Sequence, residues 1–148
     1  MTQTDAPLSI REQIMRQLLE RARNYLPSAT RDPIRRQDKQ LPRLVLQELG
    51  EAKDVPVFRK HNLVLTVSVS LADAIDPRSE SLSTVANAHI AGLLSALLNP
   101  DSQLGGLCDS VDYESSAIRY PEPGDIVLGI SLILSVRYSI AYGNPYAQ

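Results

Sequence analysis

From Ile126 to Tyr142 every even-numbered residue is apolar: Ile126, Leu128, Ile130, Leu132, Leu134, Val136, Tyr138, Ile140 and Tyr142. The positions between them include Gly129, Ser131, Ser135, Arg137 and Ser139. Period-two alternation places one class on one face of a β-strand. Strands average about 5–6 residues, so this stretch is about three times the usual length. At about 3.3 Å per residue it spans ~50 Å. The pattern predicts either a bend at Gly129 or a strand that projects beyond its core toward neighbours in other subunits.

The rest of the chain supplies partners for that strand. Ser9 and Glu12 read as a capping box. Ile10, Ile14, Met15, Leu18, Leu19, Ala22, Tyr25 and Leu26 follow at helical spacing, with Arg11, Arg16, Glu20 and Arg23 off the stripe. Pro27 ends this helix, because a proline pushes the residue before it out of the α region. Residues 27–40 form a polar connector. Leu41–Leu49 is a short strand, with Pro42 at its start or on an edge, and Gly50–Lys60 is a charged hairpin loop. In the next strand Leu63, Leu65, Val67, Val69 and Leu71 point one way, and Val64, Thr66, Ser68 and Ser70 the other. A second helix, capped by Ser79, Ser81 or Ser83, carries Leu82, Val85, Ala86, His89, Ile90, Leu93, Leu94, Leu97 and Leu98 on one stripe. Asn99 and Pro100 stop it. A Gly105-Gly106 turn leads into a third strand from about Cys108 to Tyr120, whose apolar phase shifts and predicts a bulge near Ser115-Ser116.

The order is therefore α-β-β-α-β-β. Each helix has one apolar face, as do the second and fourth strands. This predicts an α+β fold, an antiparallel four-stranded sheet with both helices packed on one face. Leu134 and Leu94 are expected to be buried between the layers. The other face, with Thr66, Ser68, Ser70, Ser131, Ser135 and Ser139, stays polar and meets solvent or a polar partner. A chain of 148 residues makes one domain, with residues 1–8 as a flexible lead-in and 143–148 as a C-terminal tail.

Charge adds one feature to this picture. Residues 1–43 hold nine Lys/Arg against five Asp/Glu, and residues 44–148 hold six against twelve. In the connector, Arg31, Arg35, Arg36 and Lys39 could meet DNA phosphate, against the plainer expectation of a solvated loop with loop or intersubunit salt bridges. The single cysteine, Cys108, excludes an intramolecular disulfide and a cysteine-based metal cluster. No signal peptide is visible, and no apolar run reaches the ~18–20 residues of a membrane span.

Candidate chemistry is sparse. His89 lies on an apolar helical stripe and reads as a core histidine with a satisfied ring nitrogen. His61 precedes the second strand and reads as exposed. Two unclustered histidines and one cysteine do not make a zinc site. Asp73 and Asp76 could pair, but they flank a helix start, where acids are stabilised by the helix dipole. No nucleophile elbow, zinc-protease or P-loop spacing occurs. No catalytic residue, metal or cofactor is expected.

The opening helix S-I-R-E-Q-I, the strand L-P-R-L-V-L-Q-E-L-G-E, the strand N-L-V-L-T-V-S-V-S, the exit D-S-Q-L-G-G-L and the ending L-I-L-S-V-R-Y-S-I-A-Y-G-N-P-Y together resemble the tail terminator, or tail completion, proteins of long-tailed bacteriophages (minor tail protein U-like). The resemblance implies an α+β fold and a structural virion protein forming a ring, usually hexameric. The ring would cap the tail tube, stop its growth and join the tail to the head-neck. Its partners would be copies of itself, the tail tube protein and a neck or head-completion protein, with genomic DNA passing through the lumen. Assembly would occur in the host cytoplasm. Alternatives are another neck or head-completion protein and, in a different class, a cellular α+β adaptor or ligand-binding domain. Under the ring reading Tyr138, Ile140, Tyr142, Pro145 and Tyr146 are covered by a neighbouring subunit; the alternative is a tail folded back on its own sheet.

Overall fold

The computed structural model of the protein describes residues 6–31, 40–76, 78 and 81–148. Its elements run α1 (Ile10–Tyr25), β1 (Arg43–Lys53), β2 (Lys60–Ala74), α2 (Leu82–Leu98), a 3-10 turn (Leu104–Gly106), β3 (Ser110–Arg119) and β4 (Val127–Ala141). The strands form one antiparallel sheet in the order β1-β2-β4-β3. This is the two-layer α+β arrangement that the apolar pattern predicts.

Helix boundaries follow local chemistry. The Ser9 hydroxyl accepts from the Glu12 N–H at 3.0 Å and starts α1. Ile10, Ile14, Met15, Leu18 and Ala22 turn inward, and the chain becomes extended at Leu26, just before Pro27. Of the three candidate serines, Ser81 caps α2, accepting from the Thr84 N–H at 3.5 Å. Ala86, Leu93 and Leu97 form the buried centre of α2. Leu94, expected in the core, is half-buried at the margin of that stripe. Arg21 reaches from α1 to the carbonyls of Leu97 and Asp101. It places a cation on the negative end of α2.

The sheet face beneath the helices is continuous and dry. Leu44, Leu46, Leu65, Val67, Val69, Leu71 and the β4 residues Leu128, Ile130, Leu132, Leu134, Val136 and Tyr138 are each at most 3% exposed. On the opposite face, among the described residues, no helix or strand lies over the register-matched row Thr66–Ser135, Ser68–Ile133 and Ser70–Ser131. Ser135, expected to meet solvent or a polar partner there, is buried and donates to Glu114 Oε1 at 2.6 Å. Gly129 belongs to that outer face beside Arg119. A Cβ there would lie 3.3 Å from the Arg119 Cβ, so glycine lets the arginine stem lie flat on the sheet.

Two expectations change. The long strand neither bends away nor projects alone, because β2 is equally long. Both have fifteen residues and pair from Lys60–Ala141 to Ala74–Val127. The ends of β2, Lys-His-Asn and Ala-Asp-Ala, break its apolar alternation but are carried into the ladder by β4. Nor is Gly50–Lys60 all loop: β1 continues to Lys53 across a register shift between Glu48 and Gly50. A shift in β3 falls between Tyr113 and Ser115, next to the expected position, and sets Ile118 opposite Ile130.

The helices have sixteen and seventeen residues, about 25 Å each at 1.5 Å per residue. The β2–β4 ladder runs about 50 Å.

Candidate functional site

A charged seam joins α1 to β1. Arg11 meets Glu48 at 3.3 Å and Glu51 at 3.8 Å. Arg31 holds Glu12 at 2.7 Å and Glu48 at 3.6 Å. The Tyr138 hydroxyl donates to Glu51. The hydrogen bond from Arg31 is the main cause that holds the Glu12 carboxyl below its ordinary range. Burial first, and Glu51 second, push the Tyr138 phenol well above its usual value, so it remains a donor. Of the four connector cations, Arg31 thus serves this intramolecular seam. Arg35, Arg36 and Lys39 lie outside the described residues.

A second cluster links three elements. The Tyr25 hydroxyl lies 2.6 Å from His89 Nδ1, and His89 Nε2 lies 3.0 Å from Asp73 Oδ2. Tyr25 ends α1, His89 sits in α2 and Asp73 in β2. Burial, then the Asp73 charge, raise the Tyr25 pKa, and the phenol shares one hydrogen bond with Nδ1. The ring donates from Nε2 to the carboxylate. His89 is half-buried with both nitrogens satisfied, as its apolar setting suggests. Asp73, expected to stabilise a helix start, instead orients this ring. An Asp-His-hydroxyl chain has the form of a nucleophilic relay; here its hydroxyl is the phenol of Tyr25, which ties α1 to α2. None of the three residues lines the two grooves described below. The cluster acts as a pin between layers.

Cys108 is buried, and its Sγ is 3.5 Å from the Ser102 carbonyl oxygen. Burial first, then Asp109 and Asp101, push the thiol up to about 12. The thiolate that would react is suppressed.

The expected interface residues divide into two groups. Tyr138 belongs to the protein's own core, and Ile140 is half-buried against it. The tail makes hydrogen bonds within its own chain. The Ile10 N–H donates to the Pro145 carbonyl at 2.9 Å, and the Ala141 N–H to Ala147 at 2.8 Å. The Gln148 side chain donates to Leu107 at 2.6 Å. Tyr142, Pro145 and Tyr146 stay exposed.

Further exposed apolar side chains lie at the two ends of the sheet. At one end the β1–β2 hairpin presents Val55, Val57 and Phe58, the last 85% exposed. The Arg59 guanidinium sits 5.1 Å from the Phe58 ring centroid. Tyr142 stacks on His61 with ring centroids 4.9 Å apart, and its N–H donates to the Arg59 carbonyl at 3.1 Å. His61, expected in a loop, is thus a half-buried residue of β2. At the opposite end the β3–β4 turn exposes Tyr120 and Ile126.

Two of the open grooves are lined by described residues throughout. One of about 350 Å³ lies on the uncovered sheet face over Ser70, Ala117, Gly129 and Ser131, between Arg43 and Arg119. The other, about 340 Å³, lies beside Arg31, Gln47 and Glu48. Among the described residues, no group of three or more His, Cys, Asp or Glu side chains is placed to hold a metal ion, and no helix is long and apolar enough to cross a membrane. Compared with known proteins, the chain matches no family model and no curated protein.

Proposed function

We propose that this protein is a structural subunit that assembles with copies of itself into a closed ring, the role of a bacteriophage tail terminator. In this reading a hexameric ring caps the tail tube, ends its growth and joins it to the head-neck, and the genome passes through the lumen. The observation that carries the reading is the exposure of large apolar side chains at both ends of a sheet whose core is already complete. Apolar side chains grouped on an exposed, polar-rimmed surface favour a protein partner. The long β2–β4 ladder gives such a subunit a stiff axis, and the seam at α1 holds its shape. The polar sheet face, with its serines and threonines, is suited to face water in a lumen.

Electron microscopy of the purified protein, with its mass in solution, tests this. Closed rings of uniform diameter support the proposal. A monomer that persists to millimolar concentration would overturn it. The groove over Ser70, Gly129 and Ser131, beside Arg119, favours a second reading, a ligand-binding domain. Saturable, stoichiometric binding of phosphate or a dicarboxylate by calorimetry, without rings, would establish that reading in its place.

A further inference from the structure

The two apolar ends of the sheet differ in charge. The hairpin tip displays Lys53, Arg59 and Lys60, all exposed, around Val55, Val57 and Phe58. Its one acid, Asp54, is already paired with Arg137 at 2.8 Å. The β3–β4 turn, residues 120–126, carries Glu122 and Asp125 and no cation. Both acids are exposed beside Tyr120 and Ile126. Residues 120–126 are themselves acidic. The cations near them are Arg119, whose stem lies against Gly129 on the outer sheet face, and Arg78, in the loop beyond Ile75; the Ile75 N–H donates to the Ile126 carbonyl at 2.9 Å. The two ends are also held in fixed relation. β4 begins just after the turn, at Val127, and its other end, Ala141, pairs with Lys60 beside the tip.

We propose that these ends are the two halves of one contact between copies of this chain: the cationic, aromatic hairpin tip of one copy docks on the acidic turn of the next. The inference rests on the ring reading and names its joint. A second copy fits as partner because this surface is self-complementary only between molecules. Apolar meets apolar, Arg59 and Lys60 meet Glu122 and Asp125, and about 50 Å of rigid ladder separates the halves. Two different patches at opposite ends make a heterologous contact, which repeats head to tail and closes into a ring when the rotation allows. Phe58 is the central anchor, since large aromatic side chains dominate such joints.

The test uses the full chain in three forms: wild type, a tip variant (Arg59→Glu with Lys60→Glu) and a turn variant (Glu122→Lys with Asp125→Lys). All the changed side chains are exposed, and circular dichroism checks that each variant keeps its fold. Mass photometry and sedimentation read assembly at low and moderate salt. Each variant alone should lose about tenfold or more in association, because like charges then face each other. An equimolar mixture of the two should recover assembly, since the tip of each now matches the turn of the other. Phe58→Ser should weaken the wild-type assembly without changing the fold. Rings that ignore both charge reversals would overturn the joint and leave the ring reading standing. Open chains or dimers that obey the reversals would keep the joint and sink the ring. A monomer that sediments with anionic phospholipid vesicles through Phe58 would assign the tip to a lipid surface and overturn both.

Discussion

Gly92 offers a sharp test of the pin between the helices. In an exposed helix, replacing glycine with alanine gains about 1 kcal/mol. Here a Cβ would sit 3.1 Å from Cζ of Tyr25 and 3.3 Å from its Cε1 and Cε2. The ring cannot retreat freely, because its hydroxyl is held at 2.6 Å by His89, one turn earlier on the same helix. Overpacking of this kind costs about 1–3 kcal/mol. The cost meets or exceeds the helical gain, so Gly92→Ala should destabilise by about 0–2 kcal/mol. In a Tyr25→Ala background the obstacle is gone, and the same substitution should stabilise by about 1 kcal/mol. Urea denaturation followed by circular dichroism on the four proteins of the cycle gives the coupling directly. A coupling of about 1–3 kcal/mol is expected. Should Gly92→Ala stabilise both backgrounds equally, the Tyr25 ring yields at no cost and the pin is not rigid.

Other outcomes follow from burial and charge. Leu134→Ala should cost about 2–5 kcal/mol, and Leu94→Ala distinctly less, since Leu94 is half-buried where Leu134 is fully covered; equal midpoint shifts would contradict the packing. Cys108 should react with an aromatic disulfide reagent only through opening of the protein, so the rate should rise with added urea; prompt labelling of native protein would show an accessible thiol. Glu12 has a lowered folded pKa, so its contribution is fully present above the ordinary glutamate range and is lost as pH falls through the lowered value. Glu12→Gln should therefore destabilise at pH 7 and make little difference near pH 2, read from urea midpoints.

Much of the fold was legible because its signals are local. The Ser9 cap, the stop at Pro27, the alternation through β2 and β4 and the phase change in β3 each depend on residues a few positions apart. Helix and strand periods make those residues share a face. The Gly50 segment was harder, since a bulge preserves pairing while breaking the alternation that advertises a strand. Residues 60–62 and 72–74 are polar at the expected apolar beats, and only pairing with β4 makes them strand. For the candidate interface, the sequence singled out the apolar end of β4. The hairpin tip, with the only phenylalanine, read as an ordinary charged loop.

By itself, then, the amino-acid order determined the element types, the helix caps, the apolar face of each element and the two-layer α+β arrangement that buries those faces. Tertiary structure decided the polar partnerships. Tyr25, His89 and Asp73 lie far apart in the chain, and no periodicity relates them. Arg11 and Arg31 found Glu48 only once β1 lay beside α1. The tail closed on its own subunit because Pro145 came within hydrogen-bond reach of Ile10. The reason is range. Hydrophobic burial is non-directional and needs only a face, which a local pattern supplies. A hydrogen bond or ion pair needs two named atoms about 3 Å apart, and only the packed chain sets that distance.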